Sequence, residues 1–131
     1  MFKLSVEEHG WARLDIGGPE VCLGLRLSYI NDVVVDLCSM SRFILQRVDG
    51  EVARWQMEPG KAVITHFALN ETSALHVKYR TSEYQVEAPA SKMSAALVTM
   101  LRTVDRDRYD NSWGSHFPFP ADEVANLQIL T

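Results

Sequence analysis

The chain has 131 residues, 47% of them apolar and 23% charged, with 13 basic against 17 acidic side chains and a formal net charge of −4. That size and composition suit one domain, residues 1–131, with its own hydrophobic core, and exclude an intrinsically disordered chain. The acidity argues against broad attraction to nucleic acid, no apolar run is long enough to cross a bilayer, and Glu7 and Glu8 cut short any signal-peptide core, so a cytoplasmic protein is expected.

In FKLSVEE, Phe2, Leu4 and Val6 alternate with polar residues, the period of a half-buried strand. His9-Gly10 supplies a turn, and WARLDI alternates again with Ala12, Leu14 and Ile16 on one side. Gly17-Gly18-Pro19 marks a second turn before EVCLGLRLS, where Val21, Leu23, Leu25 and Leu27 repeat at period two. Three strands joined by short turns predict an antiparallel meander. From Asn31 to about Val48 the spacing becomes helical through Val33, Val34, Leu37, Met40, Phe43, Ile44 and Val48, with Asn31 or Ser28 as N-cap and Asp49-Gly50 as terminator.

EVARWQM predicts a strand, Glu58-Pro59-Gly60 a type II turn, and AVITHFAL the strand returning from it. NETS makes another turn, then ALHVKYR and YQVEA predict further strands ending at Pro89. A second long helix follows, capped by Ser91 and carrying Met93, Ala96, Leu97, Met100, Leu101 and Val104 on one stripe. It fades in DRDRYDN, and Pro120 opens a short final helix with Val124, Leu127 and Leu130 as its buried stripe. There is no βαβ alternation, so the fold class is α+β: a mainly antiparallel sheet of six or seven strands, with two long helices and a short C-terminal helix packed on one face.

No motif carries catalysis. There is no GxSxG elbow, P-loop or dinucleotide fingerprint, and the paired glycines of LDIGGPE are better explained as a hairpin turn than as a phosphate cradle. No catalytic residue, cofactor or metal is expected. Cys22 and Cys38 fit two reduced, buried thiols. If Asn70-Glu71-Thr72 formed a three-residue hairpin loop, His66 would lie directly opposite His76; two imidazoles without a third ligand are still more in keeping with exposed side chains than with a metal site. Asp32 and Asp36 share a helix face and are expected to be solvated. Asp105, Asp107 and Asp110 alternate with Arg106 and Arg108 as a mixed-charge helix end, not a calcium loop.

Arg13, Arg26 and Arg54 fall in strands near Trp11 and Trp55. An Arg-aromatic sheet face could bind single-stranded nucleic acid, but the net acidity and the lack of an RNP-type motif favour a protein partner. Candidate partner-binding residues are therefore Trp11, Arg13, Arg26, Arg54, His66, His76 and His116. NSWGSHFPFP, residues 111–120, concentrates aromatics between glycine and prolines, and is expected to clasp the domain shut rather than to form a site, with His116 unexplained by that role.

SYINDVVVDL, RWQMEPG and YDNSWGSHFPFPADEVANL together resemble a group of small bacterial proteins that have a SYLxDA helix opening, a central EPG turn and a YxxxWGxPFP ending. This chain differs from that ending in carrying Ser115, His116 and Phe117 between Gly114 and Pro118. The resemblance implies no catalytic residue. Proteins of this size and character are similar to the immunity proteins of bacterial toxin systems, which implies a non-enzymatic domain that binds and neutralises a toxin. The alternative is a small-ligand-binding domain or an enzyme with a nonlocal site around His66, His76, Trp113 and His116. A homodimer built on the outer sheet face or on an edge strand is a third reading.

Overall fold

The computed structural model describes residues 1–17, 22–57 and 60–131. β1 (Phe2–Val6), β2 (Trp11–Gly17) and β3 (Cys22–Ser28) form an antiparallel three-stranded sheet in sequence order. β4 (Gly50–Gln56), β5 (Lys61–Leu69), β6 (Thr72–Tyr79) and β7 (Ser82–Pro89) form a second antiparallel meander. The strands expected from the sequence are present, but they divide into two sheets instead of one. Each meander satisfies its backbone through its own hairpins, and α1 (Val33–Gln46) carries the chain from one sheet to the other. The sheets are joined by side chains, through one continuous apolar cluster.

Two long helices build that junction. α1 covers β4 and β5 and packs along α2 (Ala90–Arg102), which in turn lies against β1, β6 and β7. The inward positions of the smaller sheet, Leu14, Ile16, Leu25 and Leu27, are fully buried, each worth about 1.5–3 kcal/mol of burial. The period-two alternation leaves polar residues outside, as expected for an antiparallel sheet with one wet face. A bulge between Glu51 and Ala53 turns two consecutive residues, Val52 and Ala53, into the core.

The helix ends differ from the sequence expectation. Asn31 does not cap α1. Its side-chain amide instead clamps Gln56, donating to the carbonyl and accepting from the amide, both at 2.8 Å, which fixes the entrance of α1 to the end of β4. α1 ends at Arg47, which adopts the left-handed conformation (φ 57°), rather than at Asp49-Gly50. α2 starts at Ala90 without a Ser91 cap, its first amide donating to the Glu71 carbonyl at 2.8 Å. The acidic-basic stretch after α2 is not a fading end but a separate helix, α3 (Arg106–Ser112), because the Asp105 carboxylate accepts from the Arg108 amide and starts a new turn. α4 (Ala121–Ala125) begins directly after Pro120 and buries Val124. Leu127 is also buried, and Leu130 only partly.

The expected Gly17-Gly18-Pro19 and Glu58-Pro59-Gly60 turns fall largely outside the described residues. Gly60 itself has φ +93°, a conformation that glycine tolerates without strain.

A candidate protein-binding face

Strand register decides where each candidate residue points. In the smaller sheet Trp11 pairs with Ser28, Arg13 with Arg26, and Asp15 with both Lys3 and Gly24. All of these lie on the face opposite the buried leucines. The structure thus brings Trp11, Arg13 and Arg26 together on one outward surface. The Arg26 guanidinium stands 4.4 Å from the Trp11 ring centroid, a cation–π contact. Arg13 donates from Nε to Asp15 at 2.9 Å, and its guanidinium sits close to Gly24, where a Cβ would come within 2.8 Å of its Cζ. Its hydrogen bond and ion pair with Asp15 hold the Arg13 pKa above the ordinary guanidinium value.

Just past the end of β3 lie residues that the sequence reading did not select. Tyr29, one residue beyond the Trp11–Ser28 pair, is 41% exposed and stacks on His116, with ring centroids 4.1 Å apart and planes 16° from parallel. Tyr29 packs against Gly10, where a Cβ would meet its ring at 2.5 Å; with φ +76° as well, this turn position requires glycine. The neighbouring Ile30 is 52% exposed. A strand-end SYI just before a helix was the available signal for Tyr29. Its partner His116 was a candidate in the sequence, but nothing there joined it to Tyr29.

The other candidates lie elsewhere. Arg54 is on the outer face of the larger sheet, paired with Glu51 at 2.6 Å, while its sequence neighbour Trp55 is fully buried on the opposite face. His76 shares that outer face, 3.7 Å from Glu83. His66 does not face His76. The β5–β6 turn has two residues, Asn70 and Glu71, so Leu69 pairs with Thr72, His66 with Leu75 and His76 with Thr65. That one-residue shift moves His66 into the core and Phe67 out to 39% exposure.

His66 is wholly buried and fully bonded: Nδ1 lies 2.7 Å from the Val48 carbonyl and Nε2 2.8 Å from Ser73 Oγ. A carbonyl only accepts, so the proton sits on Nδ1 and Nε2 accepts from the Ser73 hydroxyl. Arg47 donates to Ser73 Oγ at 2.5 Å and to the carbonyls of Asn70 and Thr72 at 2.6 and 2.7 Å. Burial, reinforced by the Arg47 charge, pushes the His66 pKa below its ordinary value. This network ties the end of α1 to the β5–β6 hairpin.

The aromatics of NSWGSHFPFP form the expected clasp. Trp113 is 1% exposed and its indole Nε1 donates to the Trp11 carbonyl at 3.2 Å. Ser112 Oγ accepts from the Gly10 amide at 2.8 Å and donates to the Glu7 carbonyl at 2.5 Å, so both residues fasten α3 to the β1–β2 hairpin. Tyr109 stacks on Trp113, meets Phe119 edge-on and donates to the Phe117 carbonyl at 2.9 Å. Burial raises its pKa to about 12. The four residues of the alternative nonlocal site are dispersed: His66 and Trp113 are buried in separate settings, and His76 and His116 are on different surfaces.

Two further expectations are corrected. Cys38 is buried, its thiol pKa pushed up to about 11 by burial, but Cys22 is exposed on the outer face of β3. Asp32 and Asp36 are partly buried rather than fully solvated; Asp36 accepts from Trp55 Nε1 at 2.7 Å, and one Asp32 oxygen is buried without a hydrogen-bond partner among the described residues. Burial raises both carboxyl pKa values.

Among the described residues, no three His, Cys, Asp or Glu side chains gather in a way that could hold a metal ion, and no helix is long and apolar enough to cross a membrane. No family profile, curated protein or solved structure matches this chain.

Proposed function

We propose that this chain is a non-enzymatic, cytoplasmic protein-binding domain whose partner seats on the outer face of β1–β3. The observation that carries the reading is the outward Arg26–Trp11 pair on β2 and β3, with the exposed Tyr29–His116 stack just past the end of β3. Tryptophan, tyrosine and arginine dominate the energetics of protein interfaces because each offers a large contact area with a polar handle. The inner side of the same sheet is committed to the core, and none of these outward residues belongs to the buried apolar cluster. In the bacterial setting implied by the sequence resemblance, the partner is a toxin and the domain its immunity protein.

Co-purification with the product of the adjacent gene tests this reading. Wild type should retain that partner, and Trp11→Ala combined with Tyr29→Ala should release it without a large change in melting temperature. Failure of wild type to bind any neighbour-encoded or toxin-like protein would sink the proposal. So would binding that survives the double substitution but is lost on changing Arg54 and His76, which occupy the other sheet.

A further inference from the structure

The chemistry of the partner can be read from the charges on this face. Arg13 and Arg26 are directly opposite each other on neighbouring antiparallel strands. Like charges in that position repel, and a sheet selected for stability alone would avoid them. Here the repulsion is met on one side only. Arg13 is neutralised by Asp15, with Glu7 adding a weaker attraction from the hairpin end. Arg26 has only the Trp11 ring beneath it, and among the described residues no carboxylate lies within 4 Å. Lys3 adds a third cation on the same face. This cationic strip belongs to a chain whose net charge is −4, so it is local rather than a reflection of composition.

A guanidinium held over an indole is oriented before a ligand arrives. Its remaining N–H groups form a planar fork that matches a carboxylate in two parallel hydrogen bonds. Resting on the protein-binding reading, we infer that the Arg26–Trp11 pair, with Arg13 beside it, receives carboxylate side chains from an acidic segment of the partner protein. A nucleic-acid strand offers phosphates to the same fork. The acidity of the rest of the chain opposes a long polyanion, whereas a short acidic segment need touch only this face.

The test uses poly-L-glutamate as the acidic polypeptide and oligo(dT) as the phosphate polymer, with intrinsic tryptophan emission as the readout. Trp55 and Trp113 are buried, so a surface ligand changes chiefly the Trp11 signal. Poly-L-glutamate should bind saturably at low ionic strength and weaken as salt is added. Arg26→Glu should weaken it by at least about tenfold, as expected on reversing a charge in a close pair, and Arg26→Gln by less. Arg54→Glu, on the other sheet, should leave it unchanged. If Arg26→Glu failed to fold, Arg26→Gln would carry the comparison.

Binding of oligo(dT) in preference to poly-L-glutamate would overturn the inference, as would no binding of poly-L-glutamate or equal effects of Arg26→Glu and Arg54→Glu. The broader reading fails separately. A partner protein bound through Trp11 and Tyr29 but indifferent to Arg26→Glu would leave protein binding intact and remove only the acidic segment.

Discussion

Replacing Trp113 with alanine should unfasten α3 and the proline-rich segment from the β1–β2 hairpin. The indole is 1% exposed, stacks on Tyr109 and donates to the Trp11 carbonyl. Truncating a buried aromatic costs about 3–5 kcal/mol, through lost transfer energy and the cavity left behind. The hydrogen bond accounts for about 1 kcal/mol of that, since the Trp11 carbonyl keeps a second donor, the Glu7 amide at 2.8 Å. Trp113→Phe, which keeps an aromatic ring but loses the donor, should cost about 1–2 kcal/mol. Domains of this kind have about 5–15 kcal/mol of stability in total, so the alanine variant forfeits roughly a fifth or more and should melt roughly 10–20 °C lower. Urea unfolding followed by far-UV circular dichroism measures the difference without relying on the deleted fluorophore. A loss below about 1 kcal/mol for Trp113→Ala would refute the clasp, since no buried indole in a close-packed site is that cheap to remove. Lost partner binding with an unchanged melt would make the segment a recognition element instead.

Further substitutions probe the other networks. Ser112→Ala removes that side chain's two hydrogen bonds to the β1–β2 turn and should cost about 1–2 kcal/mol by urea unfolding. Asp36→Asn keeps an acceptor for Trp55 Nε1 while removing a carboxylate that burial disfavours, so its melting temperature at neutral pH should match or exceed wild type; Asp36→Ala, which orphans the indole, should lower stability by about 1–3 kcal/mol. The folded-state pKa of His66 is depressed, so its contribution to stability is complete above the unfolded value of about 6.5 and is lost as pH falls from there toward the folded value. Asp32 and Asp36, with raised folded-state values, act in the opposite sense on acidification. The effect of His66 is therefore read as a difference: His66→Gln should melt lower at neutral pH but lose less melting temperature than wild type on titration from about pH 7 to about pH 5. Parallel pH profiles for the two proteins would remove His66 from the account.

The alternation of Leu14 and Ile16, or of Leu25 and Leu27, made the strands legible, because period two is a local property of the chain. The same holds for the helical stripes of α1 and α2. The clasp was legible because Pro118, Pro120 and Gly114 exclude regular structure and leave the aromatics free to pack. Register was not, since it depends on the length of one turn: a two-residue Asn70-Glu71 turn instead of a three-residue loop exchanged the faces of His66 and Phe67. Nor was the division into two sheets, which depends on which strand edges find partners in space. Of the proposed binding surface, Trp11, Arg13 and Arg26 could be picked out as residue types in strands. The Tyr29–His116 stack joins positions 29 and 116, and only the folded chain brings them together.

The Ser112 and Trp113 fastenings also constrain when the domain can complete itself. Gly10 and Ser112 are 102 residues apart, and Glu7 and Ser112 are 105 apart. A ribosome therefore extrudes the whole N-terminal meander long before its lock exists. Until α3 emerges, the inward side of β1 and β2, with Leu4, Val6 and Ala12, lacks the Tyr109 and Trp113 surface against which it finally packs. Closing so long a loop is slow relative to forming the local hairpins, so the last contacts made on the way to the native state should be these. A nascent chain halted before residue 109 should hold its N-terminal strands only loosely, and would be the form most exposed to proteases and to wrong partners during synthesis.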